Sequence, residues 1–212
     1  MEIYVSIDGV LRNLIQKFDY HYRDYYLERE EDGTAILIDD DGNEVIEEEK
    51  EKFDYGIEGA ITNNNVFNTY KFQSFEEYEN FLFIEYPIEI YGHAGLSYPT
   101  AVSDLNKLVY DNLLEYNITL VGVGEHGKAK PSTLFFLSKN GCMVNNIKFI
   151  NEEDIKDAWK KCDVWITDSQ MIANAMPKGK KIIKFKTNFN ELFTNQIEID
   201  KLDNIKEILQ NG

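Results

Sequence analysis

Two hydrophobic patterns alternate along the chain. Short runs of β-branched and aromatic residues read as strands near residues 2–7, 117–123, 146–150, 163–167 and 181–185. Between them, apolar residues recur three and four apart and predict helices over 14–26, 75–84, 100–115, 132–140, 154–161 and 169–176. In the stretch 100–115, for example, the stripe is Ala101, Leu105, Leu108, Val109, Leu113 and Leu114. Strands that alternate with helices imply a parallel sheet with right-handed crossovers. The run Ile118-Thr119-Leu120-Val121-Gly122-Val123 suits such a sheet, because a parallel strand is buried on both faces.

The alternation breaks once. Roughly a hundred residues separate the first strand from the second, far more than a crossover of a dozen or more residues requires. This predicts a core of residues 1–19 and 96–212 with an α+β insertion over 20–95. Inside the insertion, Thr34 to Ile38 and Val45-Ile46 flank Asp41-Gly42, the pattern of a β-hairpin. Residues 47–68 are acidic and then rich in Gly and Asn, which reads as loop. Residues 67–91 are crowded with Phe and Tyr, and Ser74-Phe75-Glu76-Glu77 matches a capping box at a helix start. Such an aromatic stripe either packs inside the fold or faces a protein partner, and the sequence leaves both open.

Charge sharpens the division. The chain holds 22 basic and 38 acidic residues, a formal charge of −16, and residues 24–58 alone hold 15 acids against 3 bases, or −12. The balance argues against general binding to nucleic acid or to an anionic membrane, which needs a basic surface. No apolar run approaches the ~20 residues that span a bilayer, and no signal-peptide pattern opens the chain, so the expectation is a soluble protein in a cytoplasm. Cys142 and Cys162 are too few for a disulfide framework and lack metal-ligand spacing. Asp39, Asp40 and Asp41 lack the spacing of a calcium-binding EF-hand loop and read as a solvated hairpin tip.

Candidate chemistry gathers at the end of the first strand, Ile3-Tyr4-Val5-Ser6-Ile7-Asp8-Gly9-Val10-Leu11-Arg12-Asn13. Asp8-Gly9 ends the strand, Asn13 can cap a helix, and Ser6 and Asp8 fall at the carboxyl edge, where open α/β sheets bind ligands. This stretch resembles the first motif of the haloacid dehalogenase (HAD) superfamily of phosphohydrolases, and Asp8 to Asn13 is most similar to its small phage nucleotidase-like members. The family motif is Asp-x-Asp-Gly, in which the first Asp attacks phosphorus and the second is the general acid/base. Here the first position is Ser6. The resemblance further implies a hydroxyl at the end of the second core strand, where this chain has Gly122; a phosphoryl-stabilising Lys, for which Lys128 and Lys130 are candidates; and a magnesium-binding acid, matched by Asp168.

Ser6 changes the chemistry expected. A carboxylate is ionised at neutral pH, whereas a serine hydroxyl needs an adjacent base, and a carboxylate of ordinary pKa, the group Asp8 would offer, matches a hydroxyl poorly. Only Asp8 and Asp168 remain as acids for magnesium. His21, His93 and His126 lie in separate segments, and His126 is the one placed at the presumed rim. Gly122, Gly124 and Gly127 give G-x-G-x-x-G without the acid that closes a dinucleotide site.

The resulting expectation is a three-layer, HAD-like (Rossmannoid) α/β parallel sheet that has lost phosphatase chemistry, binds no cofactor and acts through protein partners. It would be a phage structural or assembly component, in the host cytoplasm or the virion. The alternative is a magnesium-dependent phosphatase or 5′-nucleotidase using Asp8, Lys130, Asp168, Mg2+ and a water nucleophile. A third reading is a nucleotide- or phosphate-binding pseudoenzyme. Where the chemistry is lost, Ser6, Gly122 and Lys128 mark the vestigial site.

Overall fold

A computed structural model describes residues 1–32, 69–70, 72–111, 116–190, 193–195, 197–203 and 205–210. The hairpin and the loop expected over 34–68, with the Asp39 to Asp41 tip, lie outside the described residues.

β1 (Glu2–Ser6) is the centre of the molecule. It pairs in parallel with β4 (Asn117–Val123) on one side and β6 (Val164–Thr167) on the other. β5 (Ile147–Ile150) lies beyond β4, while β7 (Lys181–Phe185) and β8 (Glu198–Ile199) lie beyond β6, giving the order β5-β4-β1-β6-β7-β8. All pairings in this sheet are parallel. The architecture is the parallel α/β sheet expected. β8 was not anticipated, because two residues are too short to carry an alternation.

Side chains of a strand point alternately to opposite faces, and β1 shows what each face buries. Ile3 and Val5 enter one core with Leu105 and Leu108 of α3 (Ala101–Asp111) and with Phe136 and Leu137 of α4 (Ala129–Lys139). Ile205, from α7 (Ile205–Gln210), joins that layer. Tyr4 enters the opposite core with Trp165, with Ile155 and Trp159 of α5 (Ile155–Lys160) and with Ile172 of α6 (Gln170–Asn174). Trp159 is wholly buried and its indole Nε1 donates to the Ile172 carbonyl at 3.0 Å, so its polar edge is satisfied within the core.

Local chemistry sets the ends of these elements. α1 (Leu14–Asp32) starts where Asn13 Oδ1 accepts from the Gln16 amide at 3.3 Å, the cap read from sequence. α2 (Phe75–Asn80) is capped by Ser74, whose Oγ accepts from Glu77 N at 3.1 Å, while the Glu77 carboxylate accepts from Gln73 N instead of closing the box on Ser74. Beyond Asn80 the chain winds into two π-helical turns, Phe81–Glu85 and Ile88–Gly92, separated by Pro87. α4 begins three residues before the position expected. Pro131 falls in its first turn, where an amide has no partner within the helix, so proline does not delay the start.

Most of the described aromatic stripe packs inward, with Phe75 left exposed. Phe18 and Tyr22 of α1 meet Tyr70, Phe81, Phe83 and Tyr91 in a third cluster that also holds Ala129 of α4. Phe18 lies 4.7 Å from Tyr70 and 5.4 Å from Phe81, both edge to face, the geometry favoured by ring quadrupoles. A two-stranded ribbon, β2 (Arg12–Asn13) antiparallel to β3 (Gly95–Leu96), completes the link between this segment and the sheet edge.

Candidate active site

A cavity of about 770 Å3 opens between the carboxyl edge of the sheet and the aromatic cluster. Its floor includes Ser6, Asp8, Gly9 and Asp168, and its opposite wall includes Phe75, Tyr78 and Phe83. This is the edge at which ligands enter open α/β sheets.

Ser6 is fixed at the floor. Its hydroxyl donates to Thr167 Oγ1 at 2.8 Å and accepts from Trp165 Nε1 at 3.1 Å. Thr167 Oγ1 in turn accepts from the Ser169 amide at 3.1 Å. The proton of Ser6 therefore points to Thr167 and not to Asp8. The side chain ties β1 to β6 without a base to activate it.

Asp8 is held from a different direction. Arg12, four residues on, places Nε and Nη2 each 2.7 Å from Asp8 Oδ1. The guanidinium is wholly buried; its Nη1 donates to the Tyr91 carbonyl at 3.0 Å and to Thr133 Oγ1 at 2.6 Å, and its Nη2 donates to Glu125 Oε1 at 2.9 Å. The ring of Tyr91 lies 5.0 Å from its central carbon. Burial works against the charge, but Asp8 and Glu125 outweigh it and hold Arg12 ionised. Glu125, also buried, is pushed up to about 7 by burial and by Asp8, with Arg12 and a hydrogen bond from Thr133 acting the other way.

Asp168 follows β6 and lies against Gly9. A Cβ on Gly9 would fall 1.9 Å from the Asp168 carboxyl carbon, and Gly9 has φ 76°, so both packing and backbone require glycine there. Asp168 is buried and its pKa is pushed up to about 8, first by burial and then by the charge of Asp8. Its backbone carbonyl accepts from Asn190 Nδ2 at 3.1 Å, which anchors the loop that carries it.

The structure thus brings Ser6, Asp8 and Asp168 to one cavity floor. Lys128 and Lys130 do not join them: Lys128 Nζ donates to the Ile84 carbonyl at 3.3 Å, and Lys130 Nζ lies 5.8 Å from the Phe149 ring, neither residue lining the cavity. The early start of α4 carries Lys130 onto the helix and away from the floor. Lys186, exposed and with its Nζ 3.1 Å from Glu198 Oε2, does line it. Gly122 supplies no hydroxyl, and a Cβ there would fall 2.7 Å from Glu125 Oε1; the missing side chain makes room for the Glu125 carboxylate. His126 stands at the rim, its ring 3.7 Å from that of Phe83 and its Nε2 3.6 Å from Glu79 Oε1. Arg12, Glu125, Thr133 and Thr167 escaped the reading of the sequence. The signals that could have found them are the Asp8/Arg12 spacing of four and the glycine at 122.

No family model and no curated protein matches the chain. Solved structures do. A haloacid dehalogenase-like hydrolase from Burkholderia xenovorans superposes with a TM-score of 0.57 at 7% identity, covering 99% of this chain and 96% of its own. One from Bacteroides fragilis gives 0.55 at 15%, with 96% and 98% covered. A family hydrolase from Xanthomonas campestris gives 0.51 at 11%, with 100% and 95% covered. The neighbours are HAD-like hydrolases, and at these identities the likeness establishes the fold. It also corrects one expectation: with hydrolases as its neighbours and both acids retained at the cavity, the reading of an inactive phage structural or assembly component is overturned.

Among the described residues no helix is long and apolar enough to cross a membrane, and no group of three or more His, Cys, Asp or Glu side chains is arranged to hold a metal.

Proposed function

We propose that this HAD-like chain is a magnesium-dependent hydrolase of phosphate monoesters. The observation that carries the reading is the convergence of Asp8 and Asp168 on one cavity floor, with Asp168 raised by burial and by its neighbour's charge.

Magnesium fits these donors. The ion takes hard oxygen ligands, usually one or two carboxylates completed by substrate phosphate and water, and two carboxylates are what the floor supplies. Burial and the charge of Asp8 both disfavour the ionised form of Asp168, and a divalent cation held by the two carboxylates would offset that penalty. Asp8 and Asp168 would hold it, and when bound it would polarise a phosphoryl oxygen and offset charge on the transferring group.

The chain's own residues do the rest. A water oxygen bonds to phosphorus as the ester P–O bond breaks, and Asp8, whose side chain is about one-third exposed, receives the water's proton. The alcohol departs with a proton from solvent. Ser6 stays bonded to Thr167 and Trp165 and holds the two strand ends in register. Lys186 attracts the phosphate dianion in place of the Lys130 expected. Phe75, Tyr78 and Phe83 form a cap-like wall from the insertion above the floor.

A panel of phosphate monoesters that includes nucleoside 5′-monophosphates, assayed for phosphate release with magnesium and with chelator, tests the reading. Magnesium-dependent release from at least one ester is expected; no release from any would overturn it.

A further inference from the structure

We infer that Arg12 and Glu125 form a buried positioning pair that sets the carboxylate of Asp8 and couples it to the turn that walls the cavity. The inference rests on the hydrolase reading above and adds to it two residues that do not themselves meet substrate.

Arg12 is committed on every side. Two of its nitrogens grip one oxygen of Asp8, a third contact reaches Glu125, and Nη1 bridges Thr133 on α4 and the Tyr91 carbonyl. No donor is left over for a phosphate, so the guanidinium acts through Asp8 and not on substrate. Its planar fork, closing on Oδ1 with two nitrogens, fixes the position of that oxygen in a way that the single point of a flexible ammonium cannot. Tyr91 belongs to the second π-helical turn, and its ring and carbonyl both meet Arg12, so the aromatic wall and the reacting carboxylate share one buried joint.

Glu125 explains how a cation can be buried there. Without it, Arg12 would have Asp8 alone for its charge; with it, one oxygen of Asp8 stays in the fork while the residue still faces the cavity. The site for Glu125 exists because position 122 is glycine. Thr133 locks the pair, accepting from Arg12 while donating to Glu125 Oε2.

The test compares wild type with Arg12→Lys, Glu125→Gln and the double variant, measuring kcat and KM with magnesium and, separately, magnesium affinity by calorimetry. Thermal melts identify any variant that has lost its fold, and the Thr133→Val variant, which breaks the lock without altering a charge, then stands in for it. Arg12→Lys is expected to lower kcat ~10–100-fold with KM changed less than about threefold, and to weaken magnesium severalfold, because misplacing a reacting group costs rate more than binding. The Glu125→Gln loss should be smaller and should not add to that of Arg12→Lys, since both act on one carboxylate. Variants that match an active wild type in kcat overturn the positioning pair and leave the hydrolase intact. An inactive wild type overturns the hydrolase, and magnesium affinity then decides alone: equal affinities in wild type and Arg12→Lys overturn the pair, and a weaker variant sustains it.

Discussion

The two carboxylates at the cavity floor live in opposite surroundings. Asp8 is gripped by a buried guanidinium that it shares with Glu125, which offsets part of its negative charge within the protein. Asp168 is pressed against Gly9, and burial and Asp8 together push its pKa up to about 8. One acid is positioned by the fold; the other is held in a place that favours its protonated form until a cation arrives. The difference shows where the fold completes its own electrostatics and where it leaves charge for a ligand to complete.

Removing the second acid should break this contrast most strongly. Asp168→Asn keeps the shape and hydrogen-bonding capacity but deletes the charge, so magnesium affinity is expected to fall at least ~10-fold with little loss of thermal stability. Calorimetry and a melt on the same sample check both halves. Retained affinity would move the cation site away from Asp168.

Gly9→Ala attacks the packing between the two sides. The new methyl would overlap the Asp168 carboxyl and must adopt a positive φ, so a destabilisation of about 1–3 kcal/mol and displacement of Asp168 are expected, read by denaturant unfolding and by magnesium titration.

The contrast also predicts a dependence on pH. Asp168 and Glu125 both have folded pKa values above their ordinary ones, about 8 and about 7, so the folded protein holds protons that the unfolded chain releases. Their stabilising contribution is full below about pH 4 and is lost as pH rises through 7 to 8. Without metal, unfolding free energy should therefore drop by a few kcal/mol between pH 5 and pH 9. Magnesium should reverse most of that loss, and Asp168→Asn should flatten the curve. A stability that rises over this range would refute the assignment.

Ser6→Ala carries the smallest expected effect on turnover. It leaves Thr167 Oγ1 and Trp165 Nε1 short of a partner, costing about 1–3 kcal/mol of stability, while the rate should change less than about threefold. A loss of ~100-fold or more would instead make Ser6 the nucleophile.

Much of this is readable in the sequence. The β-branched runs that became β1, β4, β6 and β7 are buried on both faces, so their hydrophobicity announces them without ambiguity. Asp8 was legible from its place at the carboxyl edge of the first strand, and Asp168 from the family motif that the chain resembles. Arg12 was not: its partners Tyr91, Thr133 and Glu125 lie 79 to 121 residues away in sequence, and its burial exists only once they meet. Lys130 misled for the converse reason, since its distance from the floor follows from a helix that starts before Pro131. The aromatic stripe could be placed on a helix but not assigned a face, because Phe and Tyr serve cores and interfaces alike. Its packing against Phe18 and Tyr22 decided the matter.

The most direct measurement is phosphate release from an ester panel by wild type and Asp8→Asn, side by side, in magnesium and in chelator. The account predicts turnover by wild type in magnesium and at least ~100-fold less in the other three conditions. Turnover that survives in Asp8→Asn, or that ignores the chelator, would contradict it.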